Sequence, residues 1–194
     1  MKTMAAFGAL LALGCTAPSP VASAQNIASV GAFDSIELRG GGDVTVRHGR
    51  VHRVTLVRGD LEVTGVEVRR RSGNAGATLV IDACRTTCGR YDLRIEIETP
   101  DLEAAAVTGG GTIRLDGLPA RSNLALAVTG GGDIDARSLS AANVAAAIRG
   151  GGTIETRAEA SLAASVTGGG TVRHSGPAQV ATAIHGGGEV VRVD

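Results

Sequence analysis

The chain has 194 residues, of which 43% are hydrophobic and 2% aromatic, and 19 basic side chains balance 19 acidic ones. This length favours a single domain, and the balanced charge excludes the basic excess typical of proteins that bind nucleic acid. With no Trp, one Tyr and two Phe, the core must be filled by Ala, Val, Leu and Ile, which suits narrow stacked layers.

The first 24 residues have the pattern of a secretory signal peptide. Lys2 gives the positive start, an apolar run of 11 residues follows from Met4 to Gly14, and Ala22-Ser23-Ala24 matches a signal peptidase site. A membrane-spanning helix needs about 20 apolar residues. We therefore expect residues 25–194 to be one periplasmic or secreted domain without a transmembrane segment.

Cys15 leaves a second type of processing open. The sequence Leu-Ala-Leu-Gly-Cys that ends at Cys15 resembles a bacterial lipoprotein box, although Ala12 stands where such boxes usually carry Leu. The alternative to cleavage after Ala24 is therefore a lipoprotein signal that ends before Cys15. In that case the mature chain would be an outer-membrane lipoprotein acylated at Cys15.

Residues 25–100 form an irregular first section of short strands separated by glycines. The predicted strands are Phe33–Arg39, Asp43–Arg47, His52–Arg58, Leu61–Arg69, Ala77–Asp82 and Tyr91–Glu98. The last of them alternates apolar and polar residues cleanly. We expect this section to cap a more regular one. No segment after the signal peptide has a helical period.

Cys84 and Cys88 form a natural pair within this section. An exported compartment is oxidising, so a Cys84–Cys88 disulfide is expected, and its short loop gives it modest stabilising power. A structural zinc site needs four suitable ligands, and no His lies nearby in the sequence. We therefore predict no metal and no cofactor.

Six Gly-Gly-Gly triplets dominate the rest of the chain. They begin at Gly40, Gly109, Gly130, Gly150, Gly168 and Gly186, and the last five are 21, 20, 18 and 18 residues apart. Apolar residues occupy every second position before each triplet and resume in phase after it, which is the period of a strand. Thr182, in the last repeat, is the exception and is expected near an exposed end.

Units of this size bury their apolar stripe only by stacking on a copy of themselves. Residues 101–194 are therefore predicted to be coils of a β-solenoid. In the same phase the first and third Gly of each triplet point inward and the middle Gly points out, so close backbone approach is the expected reason for the triplets.

The outward positions beside the triplets form two polar columns in such a stack. The column before the triplet contains Arg39, Thr108, Thr129, Arg149, Thr167 and His185, and the column after it contains Asp43, Thr112, Asp133, Thr153, Thr171 and Glu189. As a binding face, these columns would engage a glycan, a cell-envelope polymer or a surface protein. As a solvated face, they would carry β-favouring Thr without a ligand.

Three stretches together resemble the bacterial family of putative auto-transporter adhesins with a head GIN domain. They are the opening Phe33–Val44, the segment Leu93–Leu102 and the repeated Val-Thr-Gly-Gly-Gly-(Thr/Asp)-(Ile/Val) frame. Many family members have Gly-Ser-Gly where this chain has Gly-Gly-Gly. The resemblance implies an exported, all-β protein with a right-handed parallel β-helix and an adhesion role, and it brings no catalytic residues.

Two enzyme classes share a β-helix. A polysaccharide lyase needs clustered acids and a base, whereas the acids here are scattered: Asp101, Glu103, Asp116, Asp133, Asp135, Glu155 and Glu159. A left-handed acyltransferase helix has a period of six and a His base, for which His174 or His185 could be proposed. Against this class, Ala160 and Ala178 break the aliphatic pattern, two repeats have 20 and 21 residues, and a lone histidine is usually an ordinary surface residue. We predict a non-enzymatic adhesin or envelope-binding module; a lyase-like enzyme or a structural lipoprotein is the alternative.

Overall fold

The computed structural model describes residues 25–27, 30–70, 76–85 and 91–193, with the backbone alone for residues 25–27. These residues form fifteen strands that belong to a single sheet. The sheet is curled and open, and it contains both parallel and antiparallel pairs. The prediction of an all-β protein is confirmed.

The strands of the irregular section are β1 to β7. They are β1 Gln25–Ile27, β2 Ser35–Gly40, β3 Asp43–His48, β4 Arg53–Arg58, β5 Gly65–Arg70, β6 Ala77–Asp82 and β7 Arg94–Thr99. The remaining strands are β8 Ala104–Gly109, β9 Thr112–Asp116, β10 Arg121–Gly130, β11 Asp133–Gly150, β12 Thr153–Gly168, β13 Thr171–Ser175, β14 Gln179–His185 and β15 Glu189–Arg192.

The sheet has two limbs that meet at the glycine triplets. The upstream limb stacks the segments that precede triplets, in the order β2, β8, β10, the second half of β11, the second half of β12 and β14. The downstream limb stacks the segments that follow triplets, in the order β3, β9, the first halves of β11 and β12, β13 and β15. All of these pairs are parallel and in register, as the spacing of the triplets predicts.

The core lies between the limbs and is built from the apolar columns that the sequence predicts. The buried members are Ala105, Val107, Ile113, Leu115, Leu124, Leu126, Val128, Ile134, Val144, Ala146, Ile148, Ile154, Leu162, Ala164, Val166 and Val172. Each column stacks identical or similar aliphatic side chains from consecutive repeats. Burial of these columns is the main force that holds the limbs together.

The glycine triplets lie directly on one another at the corner between the limbs. Gly131 N–H donates to Gly109 O at 3.0 Å, and Gly151 N–H donates to Gly130 O at 2.9 Å. A Cβ on the third residue, Gly152, would lie 2.1 Å from Gly132 O and 2.6 Å from a methyl of Val128, whereas one on Gly151 would meet nothing within 4 Å. The third Gly therefore points inward and the middle one outward, as predicted.

The first Gly of each triplet corrects the sequence prediction. Gly150 has a φ of 130°, and a Cβ there would lie 2.3 Å from Gly130 O. Because of this left-handed backbone, the position faces the neighbouring triplet along the stack instead of the core. Close backbone approach is thus the reason for both glycines, but in different directions.

The irregular section closes one end of the sheet with antiparallel strands. β4 pairs antiparallel with β7 and with β1, and β5 pairs antiparallel with β6. The prediction of a strand from Leu61 is wrong, since a turn occupies residues 61–63 and the strand begins at Gly65. No helix in the described part of the chain has the length and apolarity that a bilayer crossing needs.

Candidate binding face

The first predicted polar column is a continuous row across the upstream limb, which we call the upstream ladder. Its members Arg39, Thr108, Thr129, Arg149, Thr167 and His185 are consecutive register partners in that order. Adjacent parallel strands are about 4.8 Å apart. The ladder is therefore a row in which two threonines lie between Arg39 and Arg149 and a third lies between Arg149 and His185.

The second column forms the corresponding downstream ladder. Asp43, Thr112, Asp133, Thr153, Thr171 and Glu189 are register partners in that order. The structure thus brings together every polar residue that the sequence assigns to each column. The two ladders run side by side, one on each side of the glycine corner.

Both ladders extend by one residue that the sequence analysis missed. Asp82 of β6 pairs with Arg39, and Arg94 of β7 pairs with Asp43. Neither residue adjoins a glycine triplet, so the spacing that exposed the columns gives no signal for them. The partner strands come from the irregular section, whose place beside the first triplet only the tertiary structure defines.

Two rows of small side chains lie beside the upstream ladder and were also missed. The row nearest the ladder contains Ala106, Ala127, Ala147, Ser165 and Ala183, and the next contains Ala104, Ala125, Ala145, Ala163 and Ala181. Most of these residues are exposed. Together they give a flat floor that lets another molecule approach the sheet closely. Outward alanines were visible in the sequence, but their alignment depends on the register.

A third polar row borders the alanine rows on the side away from the upstream ladder. The Asn143 side-chain amide donates to Asn123 Oδ1 at 3.1 Å, and the Ser161 hydroxyl donates to Asn143 Oδ1 at 2.8 Å. Asn123 and Asn143, with Arg121, line a shallow depression of about 590 Å³ that opens over the alanine floor. The face is therefore apolar in the middle and polar along both borders.

Arginine–carboxylate pairs cover the downstream limb two residues beyond the downstream ladder. Arg137 pairs with Asp135 at 2.8 Å and with Glu155 at 2.8 Å, and Arg173 pairs with Glu155 at 3.4 Å. The hydrogen bond from Arg137 lowers the pKa of Asp135 below its ordinary value, and the same pair raises the pKa of Arg137. These charges neutralise one another and bridge successive repeats.

The acids that a lyase would need do not converge. Asp135 and Glu155 belong to the arginine pairs just described, and Glu159 accepts hydrogen bonds from Ser140 and Arg157, which lower its pKa. In residues 30–70, 76–85 and 91–193, no three His, Cys, Asp or Glu side chains are arranged to hold a metal ion.

The predicted Cys84–Cys88 disulfide, the acylation of Cys15 and the signal peptide stay predictions. Cys84 follows β6, whereas Cys88, Cys15 and the signal segment lie outside the described residues.

Two segments of the chain, residues 32–128 and 120–178, match the family model described as "Putative auto-transporter adhesin, head GIN domain". The chain belongs to this family. The match covers the irregular section from residue 32 onward and the triplet repeats up to residue 178, including both ladders up to their last residues. No curated protein matches the sequence significantly.

Three solved structures were found to be similar to this head GIN domain. A putative adhesin of Bacteroides fragilis aligns with a TM-score of 0.51 at 17% identity, covering 88% of this chain and 96% of the other. A putative cell adhesion protein of Clostridium sporogenes aligns with a TM-score of 0.43 at 8% identity, covering 88% and 98%. A putative adhesin of Parabacteroides merdae aligns with a TM-score of 0.40 at 14% identity, covering 89% and 96%.

His174 of this head GIN domain is buried, so its assignment as a surface residue was wrong. It occupies the core phase of β13, where it pairs in register with Thr156 on one side and Arg192 on the other. His174 Nδ1 and Thr156 Oγ1 are both buried and make no hydrogen bond within the described residues. Burial, with a smaller effect of Arg192, lowers the pKa of His174. His185, the other candidate base, is exposed on the upstream ladder.

We expect His174 to make the domain less stable in mild acid. The unfolded histidine takes up a proton near pH 6.5, whereas burial holds the folded pKa lower. Stability is therefore full above pH 6.5 and falls as the pH drops below it, until the folded imidazole also protonates. Urea unfolding at pH 7.5 and 5.5 measures this loss, and His174→Leu should reduce it. Equal losses in the variant and the parent would contradict the assignment.

Proposed function

We propose that this chain is an exported, non-enzymatic adhesin-type module. Its binding face is the outer surface of the upstream limb, from the upstream ladder across the alanine rows to Asn123 and Asn143, and it binds a glycan or another repeating polymer of a cell envelope. One observation carries the proposal: exposed polar and alanine rows run in register across the triplet repeats of the upstream limb. The membership in an adhesin family agrees with this role.

The periodicity of the face suits a periodic ligand. Each row repeats the same contact at about 4.8 Å intervals, so an extended polymer can make equivalent contacts with several repeats. Threonine hydroxyls both donate and accept hydrogen bonds, which matches the hydroxyl groups of a glycan. The alanine floor adds apolar contact without side chains that must be ordered on binding.

A binding role also agrees with the state of the charged groups. Catalytic acids and bases are typically kept poised by environments that push their pKa values apart. Here Asp135 and Glu159 have lowered pKa values because arginine or hydroxyl groups hold them as carboxylates. These two groups therefore stay ionised, which suits a structural role on the surface better than the role of a general acid.

The proposal includes the type of fold and the cellular location of the module. The two parallel limbs and the stacked glycine corners support coils of a right-handed parallel β-helix. The leader at residues 1–24 would export the chain, with cleavage after Ala24 for a periplasmic or secreted form. Acylation at Cys15 is the alternative, which would give an outer-membrane lipoprotein.

Negative charge placed on both sides of Arg149 in the upstream ladder should weaken binding. We expect the double variant Thr129→Glu, Thr167→Glu to lose at least tenfold in retention on a glycan array and on insoluble peptidoglycan, because two carboxylates replace the hydroxyls that flank Arg149 and pair with its guanidinium. The matched control is Arg50→Glu, an equally exposed change in the turn after β3. Equal retention of both variants would contradict the assignment of the face, and no retention of the parent protein would contradict the function.

A further inference from the structure

The two ends of the sheet are built differently. Antiparallel strands close the end formed by the irregular section, where β1 covers β4 and the Glu67–Arg69 ion pair lies on the edge strand β5. At the other end, within the described part of the chain, β14 pairs with β12 and β15 pairs with β13 as their sole strand partners. No described strand therefore covers the outer edge of β14 or of β15. Natural sheets usually protect such edges with charge or cover.

The last strands also expose side chains that have the core phase. Val180 is the register partner of Leu162, and Ile184 is the partner of Val166. Leu162 and Val166 are 1% and 0% exposed, whereas Val180 and Ile184 are 41% and 42% exposed. β14 carries no Asp, Glu, Lys or Arg along its length. The apolar column thus continues to the end of the sheet and lacks the protection that β5 has.

We propose that this end binds a second copy of the same chain, with a two-fold axis through the outward glycine of the last triplet, Gly187. In this arrangement β14 of each copy pairs antiparallel with β15 of the other copy. The two free edges of one chain are then covered at once, and the contact closes as a dimer instead of growing into a filament.

The sequence around Gly187 has the symmetry that this pairing requires. Residues equally distant from Gly187 face one another, so the core-phase Ile184 lies beside the core-phase Val190 of the second copy. At the outward positions, His185 faces Glu189 of the second copy, which joins an imidazole to a carboxylate on each side of the axis. Farther from the axis, the core-phase Thr182 faces the core-phase Arg192 of the second copy, so inward residues meet inward residues and these two polar members of the core phase meet each other.

A head-to-tail contact fits the same surfaces less well. The irregular section extends the upstream limb by β6 and β5 but extends the downstream limb by β7, β4 and β1, so the edges of the two limbs at that end are not level and cannot pair with β14 and β15 at once. The two-fold contact instead covers both edges together and sets Ile184 beside Val190. The occupant is therefore a second copy in the opposite orientation.

The oligomeric state of the purified protein tests the proposal. We expect sedimentation velocity over a concentration series to show a monomer–dimer equilibrium, and Ile184→Asp to weaken the dimer at least tenfold. The matched control is Val51→Asp, which alters an apolar residue that is 53% exposed at the opposite end. Because both positions are exposed, both variants should keep the thermal unfolding midpoint of the parent at low protein concentration, where the dimer does not contribute. A parent protein that stays monomeric, or a dimer that only Val51→Asp weakens, would overturn the proposal.

Crosslinking tests the register. Ala183 and Val191 are equally distant from Gly187, so the proposed pairing sets them opposite each other at a Cα separation that a disulfide can bridge. A mixture of Ala183→Cys and Val191→Cys proteins should form a crosslinked dimer on oxidation, whereas Ala183→Cys alone should not. Efficient crosslinking of Ala183→Cys to itself would place the axis elsewhere and overturn the arrangement.

Discussion

Gly150→Ala is expected to destabilise the domain by about 3 kcal/mol or more. The new methyl group would lie 2.3 Å from Gly130 O in the neighbouring triplet, at a φ of 130° that L side chains rarely adopt. The backbone oxygen cannot move away without breaking the hydrogen bond that Gly151 N–H donates to it at 2.9 Å. Chemical denaturation followed by circular dichroism measures the loss.

The control for this change is the adjacent residue. A Cβ on Gly151 would meet nothing within 4 Å, so Gly151→Ala should change the free energy of unfolding by no more than about 0.5 kcal/mol. The two variants add the same methyl group to neighbouring positions of one triplet. Similar losses in both would show that the triplet is needed for chain flexibility and not for close stacking.

Ile148→Ala is expected to cost about 2–5 kcal/mol of stability. Ile148 lies in the core column between Val128 and Val166, and all three side chains are fully buried. Removing the larger side chain leaves a cavity in the middle of the stack, where neighbours on both sides hold the backbone in place. Thermal or urea unfolding of the purified variant measures the effect.

The same column offers its own control at the open end. Ile184 follows Val166 in the stack but is 42% exposed, so Ile184→Ala should cost less than about 1 kcal/mol in the monomer. The comparison is made at low protein concentration, where a dimer through β14 does not contribute. A cost for Ile184→Ala that equals the cost for Ile148→Ala would contradict the exposed position of the last repeat.

The core residues and the strand register of this domain could be predicted from the sequence because the chain consists of repeats. A period-two alternation that keeps its phase through each glycine triplet leaves one way to bury every apolar column, which is to place triplet on triplet. Ile134, Ile154 and Val172 accordingly lie one above another in the structure. Thr182, the polar exception that the sequence analysis noted in the columns beside the triplets, is exposed in the last repeat as predicted.

Other positions could be placed only from the tertiary structure. His174 has the core phase of β13, yet a histidine is chemically compatible with either side of a strand, and only the neighbouring β12 and β15 show that it is buried. Asp82 and Arg94 extend the ladders because β6 and β7 pair with β2 and β3, a choice of partner that short strands without a repeat do not specify.

The glycine triplets separate the two kinds of information. By itself the sequence determined that they are fixed positions of each repeat and that the middle residue points outward, because strand alternation is local and runs unbroken through each triplet. Only the tertiary structure decided why the first residue must be Gly: any side chain at this position would point at the carbonyl oxygen of the triplet on the neighbouring strand. The clash depends on a positive φ at the first Gly and on the distance between two neighbouring strands of the sheet, and the alternation of residues along one strand specifies neither.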